Sequence, residues 1–161
     1  MTDRPTLAVI DVDGVVADVR HRLHHVKSRP KDWAAFFAAA PDDPLLPTGL
    51  ETVRELAEKH VIVYLSGRPE HCRQDTLAWF EKHRLPPGEL FLRPRGDFRP
   101  SRVMKVEMLA ELQKVAPIGV LVDDDVMVVE AVREAGYHVL HADWMEERAA
   151  LLEAQEVDGE T

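Results

Sequence analysis

The sequence predicts a doubly wound α/β fold with a parallel sheet, and three observations carry the prediction. Thr6–Ile10 (TLAVI), Val61–Leu65 (VIVYL) and Ile118–Val122 (IGVLV) are short apolar runs, rich in β-branched residues and without polar alternation. Such runs suit central strands covered on both faces. Helical patterns lie between them: Leu50, Val53, Leu56 and Ala57 share a face, as do Val103, Val106, Leu109 and Ala110, and Val128, Val129 and Val132. Each strong strand also ends in a polar cluster: Asp11-Val12-Asp13-Gly14, Ser66-Gly67-Arg68-Pro69 and Asp123-Asp124-Asp125. In a parallel sheet these ends share one edge, where open α/β folds bind ligands.

The smaller elements follow in order. Phe91–Leu92 and Val139–Leu140 are shorter strand candidates, and Gly136 reads as a helix C-cap. A helix over Trp144–Glu153 presents Met145, Ala149 and Leu152 for packing onto the sheet, and the acidic residues Glu153–Thr161 read as a frayed end. Two segments break the strand–helix rhythm. Residues 15–47 hold a basic stretch, a short helix over Trp33–Ala40 and a loop with Pro41, Pro44 and Pro47. They read as a flap, too short for an independent cap domain. Pro86–Ser101 reads as a loop with one short strand. The chain of 161 residues supports one Rossmann-like domain, with its core over 5–14 and 48–155 and a small flap insertion over 15–47.

Composition excludes several classes. An apolar fraction of 45% with three Trp and five Phe excludes intrinsic disorder. The longest uncharged apolar run, Trp33–Ala40, has eight residues, against the ~20 that a membrane span needs. The first residues lack a signal-peptide pattern, and the single Cys72 permits no internal disulfide, so the expected location is the cytoplasm. The net charge of −9 argues against a simple DNA-coating protein. Yet residues 20–31 carry five Lys/Arg and no acid, and residues 84–105 carry six against two acids. If the two stretches meet, they form a basin that steers an anionic substrate; if not, each is a separately solvated surface. Charge alone leaves both readings open.

The three strand ends gather up to five carboxylates, one hydroxyl and one guanidinium. Crowded carboxylates need a cation, and hard oxygen donors favour Mg²⁺. A single Asp at a strand end is ordinarily a helix N-cap, but three such ends together are poorly explained that way. His21, His24 and His25 have helical i, i+3, i+4 spacing, which suits a basic loop better than a metal site. Trp33, Phe36 and Phe37 read as packing for the flap, and Cys72 as inert. Arg93, Arg95, Arg99 and Arg102 suit either a nucleic-acid track or a solvated loop.

These motifs, in this order over residues 6–143, resemble the haloacid dehalogenase superfamily of phosphatases: D-x-D-G, then S-G-R, then a helix-borne Lys, then D-D. A receiver domain shares the fold type but orders its acids differently. The resemblance implies that Asp11 is a nucleophile forming an aspartyl-phosphate. It makes Asp13 the general acid and then base, with a carbonyl on the metal. It implies that Ser66 hydrogen-bonds a phosphoryl oxygen, that Lys105 neutralises charge beside Asp11, and that Asp123 ligates Mg²⁺ directly with Asp11, while Asp124 ligates it directly or through water. Asp125 would be a solvated or capping residue.

A closer likeness is to the phosphatase domain of phage-type polynucleotide kinase. Arg22 lies eleven residues after Asp11, Arg68 follows Ser66 in S-G-R, and Gly96-Asp97-Phe98-Arg99 precedes Lys105 by six residues. Lys31–Phe37 also looks like that group's flap helix. The likeness implies removal of 3′-phosphates from nucleic-acid ends or nucleotides, with Arg22, Gly67, Arg68 and Arg99 binding substrate. Ser101 stands where the group usually has an Asp, which leaves the partner of Lys105 open. No G-x-x-x-x-G-K-[ST] phosphate loop occurs in the sequence, so a separate kinase or ligase is the expected partner. The alternatives are a small-molecule phosphatase such as a nucleotidase and, in another class, a non-catalytic module that binds phosphorylated ends.

Overall fold

In the computed structural model, which describes residues 4–161, Leu7–Ile10 (β1) is the middle strand of a five-stranded sheet. Val61–Pro69 (β2) and Glu89–Arg93 (β3) lie on one side of it, and Ile118–Asp123 (β4) and Val139–His141 (β5) on the other. The order is β3-β2-β1-β4-β5, and every pairing is parallel. Ile10 is level with Tyr64 on one neighbour and Val122 on the other. The residues after these therefore emerge together at one edge.

Strand parity explains the double winding. Ala8 and Ile10 of β1 join one apolar cluster with Tyr64 and Val122, whereas Leu7 and Val9 join another with Leu65 and Leu121. Ser101–Gln113 (α5) and Val126–Glu134 (α6) cover the second face through Met104, Leu109, Leu112, Val128 and Val132. The first face is covered by Pro47–Ala57 (α3), Arg73–Lys82 (α4) and Ala149–Glu156 (α7), which contribute Val53, Trp79 and Leu151. Two short flap helices, His24–Lys27 (α1) and Trp33–Ala38 (α2), add Val26, Phe36 and Phe37. Burying a side chain of this size contributes about 1.5–3 kcal/mol, so the flap is welded to the core. Asp32 starts α2 by accepting from the Ala35 amide at 3.0 Å.

Three expectations need correction. β2 runs on through Ser66-Gly67-Arg68 to Pro69, which pairs with Arg93 after a register irregularity. The last helix starts at Ala149 instead of Trp144, because Glu147 takes a positive φ of 59° and interrupts any earlier turn. Its buried face is then Leu151, Ala154 and Gln155. Nor is the end frayed: Thr161 is only 3% exposed. Among the described residues, no helix is long and apolar enough to cross a membrane.

Candidate active site

Asp11 continues β1 by one residue, its amide donating to the Val122 carbonyl at 2.9 Å. The chain then turns back on itself, with the Val15, Val16 and Ala17 amides all converging on the Val12 carbonyl. Gly14 makes this turn possible. Its φ is +79°, and a Cβ there would lie 2.3 Å from Asp124 Oδ2. The turn sets Asp13 at the same edge as Asp11, and both are buried.

Asp123 ends β4, and Asp124 and Asp125 follow it into α6. Carboxylate oxygens of Asp11, Asp123 and Asp124 all lie within 4.8 Å of one another. Lys105, one turn into α5, answers part of this charge: its Nζ is 2.6 Å from Asp123 Oδ2 and 3.1 Å from Asp11 Oδ1. Arg148, from the loop before α7, donates to Asp124 Oδ2 at 2.8 Å. Two oxygens remain buried without a partner, Asp11 Oδ2 and Asp124 Oδ1. Burial, and then the neighbouring Asp123, push the carboxyl of Asp11 well above its ordinary range and raise Asp124 as well. Burial opposes the charge on Lys105, but Asp11 and Asp123 outweigh it and hold the ammonium firmly protonated. Three clustered carboxylates with two buried oxygens left without a partner are what a hard divalent cation requires, so these residues fit one.

Asp13 has the opposite surroundings. Its Oδ1 accepts from Arg68 Nε at 2.9 Å, Arg68 Nη2 at 2.7 Å and Arg22 Nη2 at 3.2 Å, and its Oδ2 accepts from the Thr161 hydroxyl at 2.7 Å. Burial acts to raise its pKa, but the two guanidinium groups prevail and bring it down to about 2. Behind both arginines stands Asp43, fully buried, accepting from Arg22 Nε at 2.7 Å and Arg68 Nη2 at 3.1 Å. The Arg22 guanidinium also lies 4.3 Å over the Phe36 ring. Asp43 is itself fixed by Trp79, whose Nε1 donates to its carbonyl at 2.9 Å.

The predicted residues converge unevenly. Asp11, Asp13, Ser66, Gly67, Arg68, Lys105, Asp123 and Asp124 meet at the sheet edge, with Ser66 accepting from the Arg68 amide at 3.1 Å. Arg22 and Arg68 are buried on Asp13 and Asp43, not spread on the surface. Arg99 does not reach the carboxylates; its side chain is 47% exposed and pairs with Asp97 and Glu107. Asp125 is buried, not solvated, and caps α6 by accepting from Met127 N at 2.8 Å. His21 reaches Asp43 at 2.6 Å instead of joining His24 and His25 around a metal. The open question about Lys105 also has an answer: Asp123 orients it, and Ser101 instead donates to the Thr161 carbonyl at 2.9 Å. Sequence reasoning missed Asp43, Thr76, Arg148 and Thr161. Thr76 holds Arg68 Nη1 at 3.0 Å. None of the four left a usable signal in the sequence, because the buried arginines that demand an acid beside them become visible only in the fold.

Residues 5–144 match the family described as the polynucleotide kinase PNKP phosphatase domain. The chain belongs to this family. It is thus a phosphatase-family α/β hydrolase, and solved structures agree on the fold. A chain of the Pnkp1/Rnl/Hen1 RNA repair complex superposes with a TM-score of 0.72 at 21% identity, covering 91% of this chain and 45% of that one. The class C acid phosphatase from Bacillus anthracis with tungstate bound gives 0.63 at 16% identity, covering 93% and 72%. A haloacid dehalogenase-like hydrolase from Streptococcus pneumoniae gives 0.60 at 16%, covering 94% and 91%. This member of the PNKP phosphatase family therefore spans less than half the length of the first of these. No curated protein matches the chain.

Proposed function

We propose that this protein is a Mg²⁺-dependent phosphomonoesterase that acts through a phosphorylated Asp11 and removes 3′-phosphates from nucleic-acid ends or nucleotides. One observation carries the reading: Asp11 keeps one oxygen on Lys105 while its other, buried oxygen has no partner, on the same edge as an Asp13 held by two arginines. Asp11, Asp123 and Asp124 would hold the metal together with the Asp13 carbonyl, and the ion would supply charge neutralisation at the phosphoryl oxygens.

The residues then divide the work. A carboxylate oxygen of Asp11 attacks phosphorus, and the bond from phosphorus to the ester oxygen breaks. Asp13 gives its proton to the departing oxygen. Next, water attacks the phosphorus of the Asp11 phosphate, Asp13 takes the water's proton, and inorganic phosphate leaves with Asp11 restored. The low pKa of Asp13 makes it a base in the resting protein. A phosphate dianion arriving beside it raises that pKa, because like charge favours the protonated form. Arg22 and Arg68 act on the substrate through Asp13, as positioning residues. Ser66 and the Gly67 backbone hold phosphoryl oxygens, and Lys105 screens them from Asp11. Arg99 binds the flanking substrate backbone. A separate kinase or ligase would complete end repair, and the cytoplasm is the proposed location.

The test is phosphate release from a 3′-phosphorylated oligonucleotide, its 5′-phosphorylated twin and the matching mononucleotides, each with Mg²⁺ and with EDTA. Metal-dependent release from the 3′-end, absent in Asp11→Asn, is the expected result. Equal release from 5′-ends or mononucleotides would replace the reading by a general nucleotide phosphatase. Tight binding without turnover in Mg²⁺ would replace it by an end-binding module.

A further inference from the structure

The segment after α7 does not leave the molecule; it runs into the site. Glu156, at the end of α7, accepts from Arg102 Nη1 at 2.6 Å and from the Arg102 amide at 3.2 Å. Asp158 accepts from Lys31 at 2.5 Å, and Glu153 lies 3.2 Å from the same ammonium. Gly159, with φ of +61°, presses so closely on residues 98–99 that a Cβ would lie 2.0 Å from the Phe98 carbonyl oxygen. Glu160 borders a cavity of about 500 Å³ shared with Pro69, His71, Arg93 and Phe98. Thr161 completes the run. Its hydroxyl is on Asp13, its carbonyl accepts from Ser101 at 2.9 Å and Arg93 at 3.4 Å, and it lies against the Cα of Gly67.

Two consequences follow from this path. Residues 158 and 159 touch Lys31 and the Phe98 carbonyl in turn, so the flap's basic stretch and the 84–105 stretch flank the same strip of chain. The acidic groups on that strip are matched to cations from both: Lys31 from one, Arg102 from the other. A segment that only closed the fold would have no reason to place acids along both basic stretches and a hydroxyl on Asp13. We propose that residues 156–161 are an internal competitor of the substrate, occupying the anion's path and covering Asp13 and Gly67 until a phosphorylated ligand displaces them. This rests on the reading of Asp13 and Gly67 as substrate-facing residues.

The proposal is tested by removing everything after Val157 and, separately, by Gly159→Ala, which leaves the segment present but unseats it. Both proteins are compared with the full chain for KM and kcat on the 3′-phosphorylated oligonucleotide and for affinity toward inorganic phosphate. The expected result is a KM lower by about fivefold or more, the scale of an ordinary coupling between sites. Phosphate is expected to bind more tightly. A synthetic peptide of residues 153–161 should raise the KM of the shortened protein without lowering kcat. Unchanged or weaker phosphate binding in Gly159→Ala, with the native melting temperature kept, overturns the proposal, even if the shortened protein fails to fold. Phosphate affinity needs no turnover. Tighter phosphate binding in the variants with no release from any 3′-end would therefore overturn the substrate assignment and leave the competitor standing.

Discussion

Two groups of buried carboxylates stand side by side at the carboxyl edge of this sheet, and the chain treats them oppositely. Asp13 and Asp43 share Arg22 and Arg68, with His21 and Thr161 closing the remaining positions. Asp11, Asp123 and Asp124 share Lys105 and Arg148 and still leave two oxygens without a partner. The first group is self-sufficient, and its net charge is near balance. The second is short of positive charge by construction. Burying a carboxylate is costly unless it is paired, so a fold that leaves one group unbalanced has reserved that place for something that arrives from outside. The contrast separates the part of the site whose charge is balanced within the protein from the part that needs a charge from outside.

The sharpest way to break the comparison is to neutralise one member of each group. Asp11→Asn should reduce phosphate release by a factor on the order of 10⁴ or more, as loss of a nucleophile does. Its thermal midpoint without metal should stay the same or rise, because an uncompensated buried charge is gone. Asp43→Ala should do the reverse to the fold. It strips two buried guanidinium groups of a shared partner and should cost about 3–5 kcal/mol in urea unfolding. A loss of that size in Asp11→Asn, or none in Asp43→Ala, would erase the distinction.

Metal and pH sharpen it further. Adding Mg²⁺ to the EDTA-treated protein should raise stability by about 2.7 kcal/mol at a hundredfold excess over its dissociation constant. The gain should be larger at pH 8 than at pH 5, because protons compete for the raised carboxyls of Asp11 and Asp124. Asp13 should behave oppositely. Its carboxyl is lowered to about 2 from an ordinary 3.8, so its stabilisation is fully present above the ordinary value. That stabilisation is lost as pH falls through about 2, and it amounts to roughly 2 kcal/mol. Urea unfolding of the parent and Asp13→Asn at pH 5 and pH 2.5 would show a difference that shrinks with acid; a constant difference would refute it.

The same division explains what could be read from the sequence. The central strands announced themselves because TLAVI, VIVYL and IGVLV are covered on both faces. Asp11, Lys105, Asp123 and Asp124 were legible because they sit at fixed offsets from those strands and from one helix. Asp43 was not, since Pro41-Asp42-Asp43-Pro44 carries the composition of any surface turn. Its importance depends on Trp79 and two arginines that are distant in sequence. Thr161 left no trace at all: nothing in Asp158-Gly159-Glu160-Thr161 distinguishes a docked strip from a solvated one. The start of α7 was misjudged because the apolar spacing of Met145, Ala149 and Leu152 is genuine, while the interruption at Glu147 is a backbone event without a compositional cue. Local pattern thus revealed the groups tied to regular elements, and long-range pairing concealed the rest.

Arg93 carries a consequence for binding. Its guanidinium donates to the Gly67, Asp97 and Arg99 carbonyls at 3.0, 3.3 and 2.7 Å and to Ser101 Oγ at 3.0 Å, tying the 94–100 turn to the end of β2. Prolines at both ends of that turn narrow its unfolded ensemble as well. The freedom of these residues is therefore surrendered when the chain folds, before any ligand approaches. A ligand settling beside Phe98 meets a rim already tied to β2, so its affinity is not reduced by the entropy of ordering a loop around it.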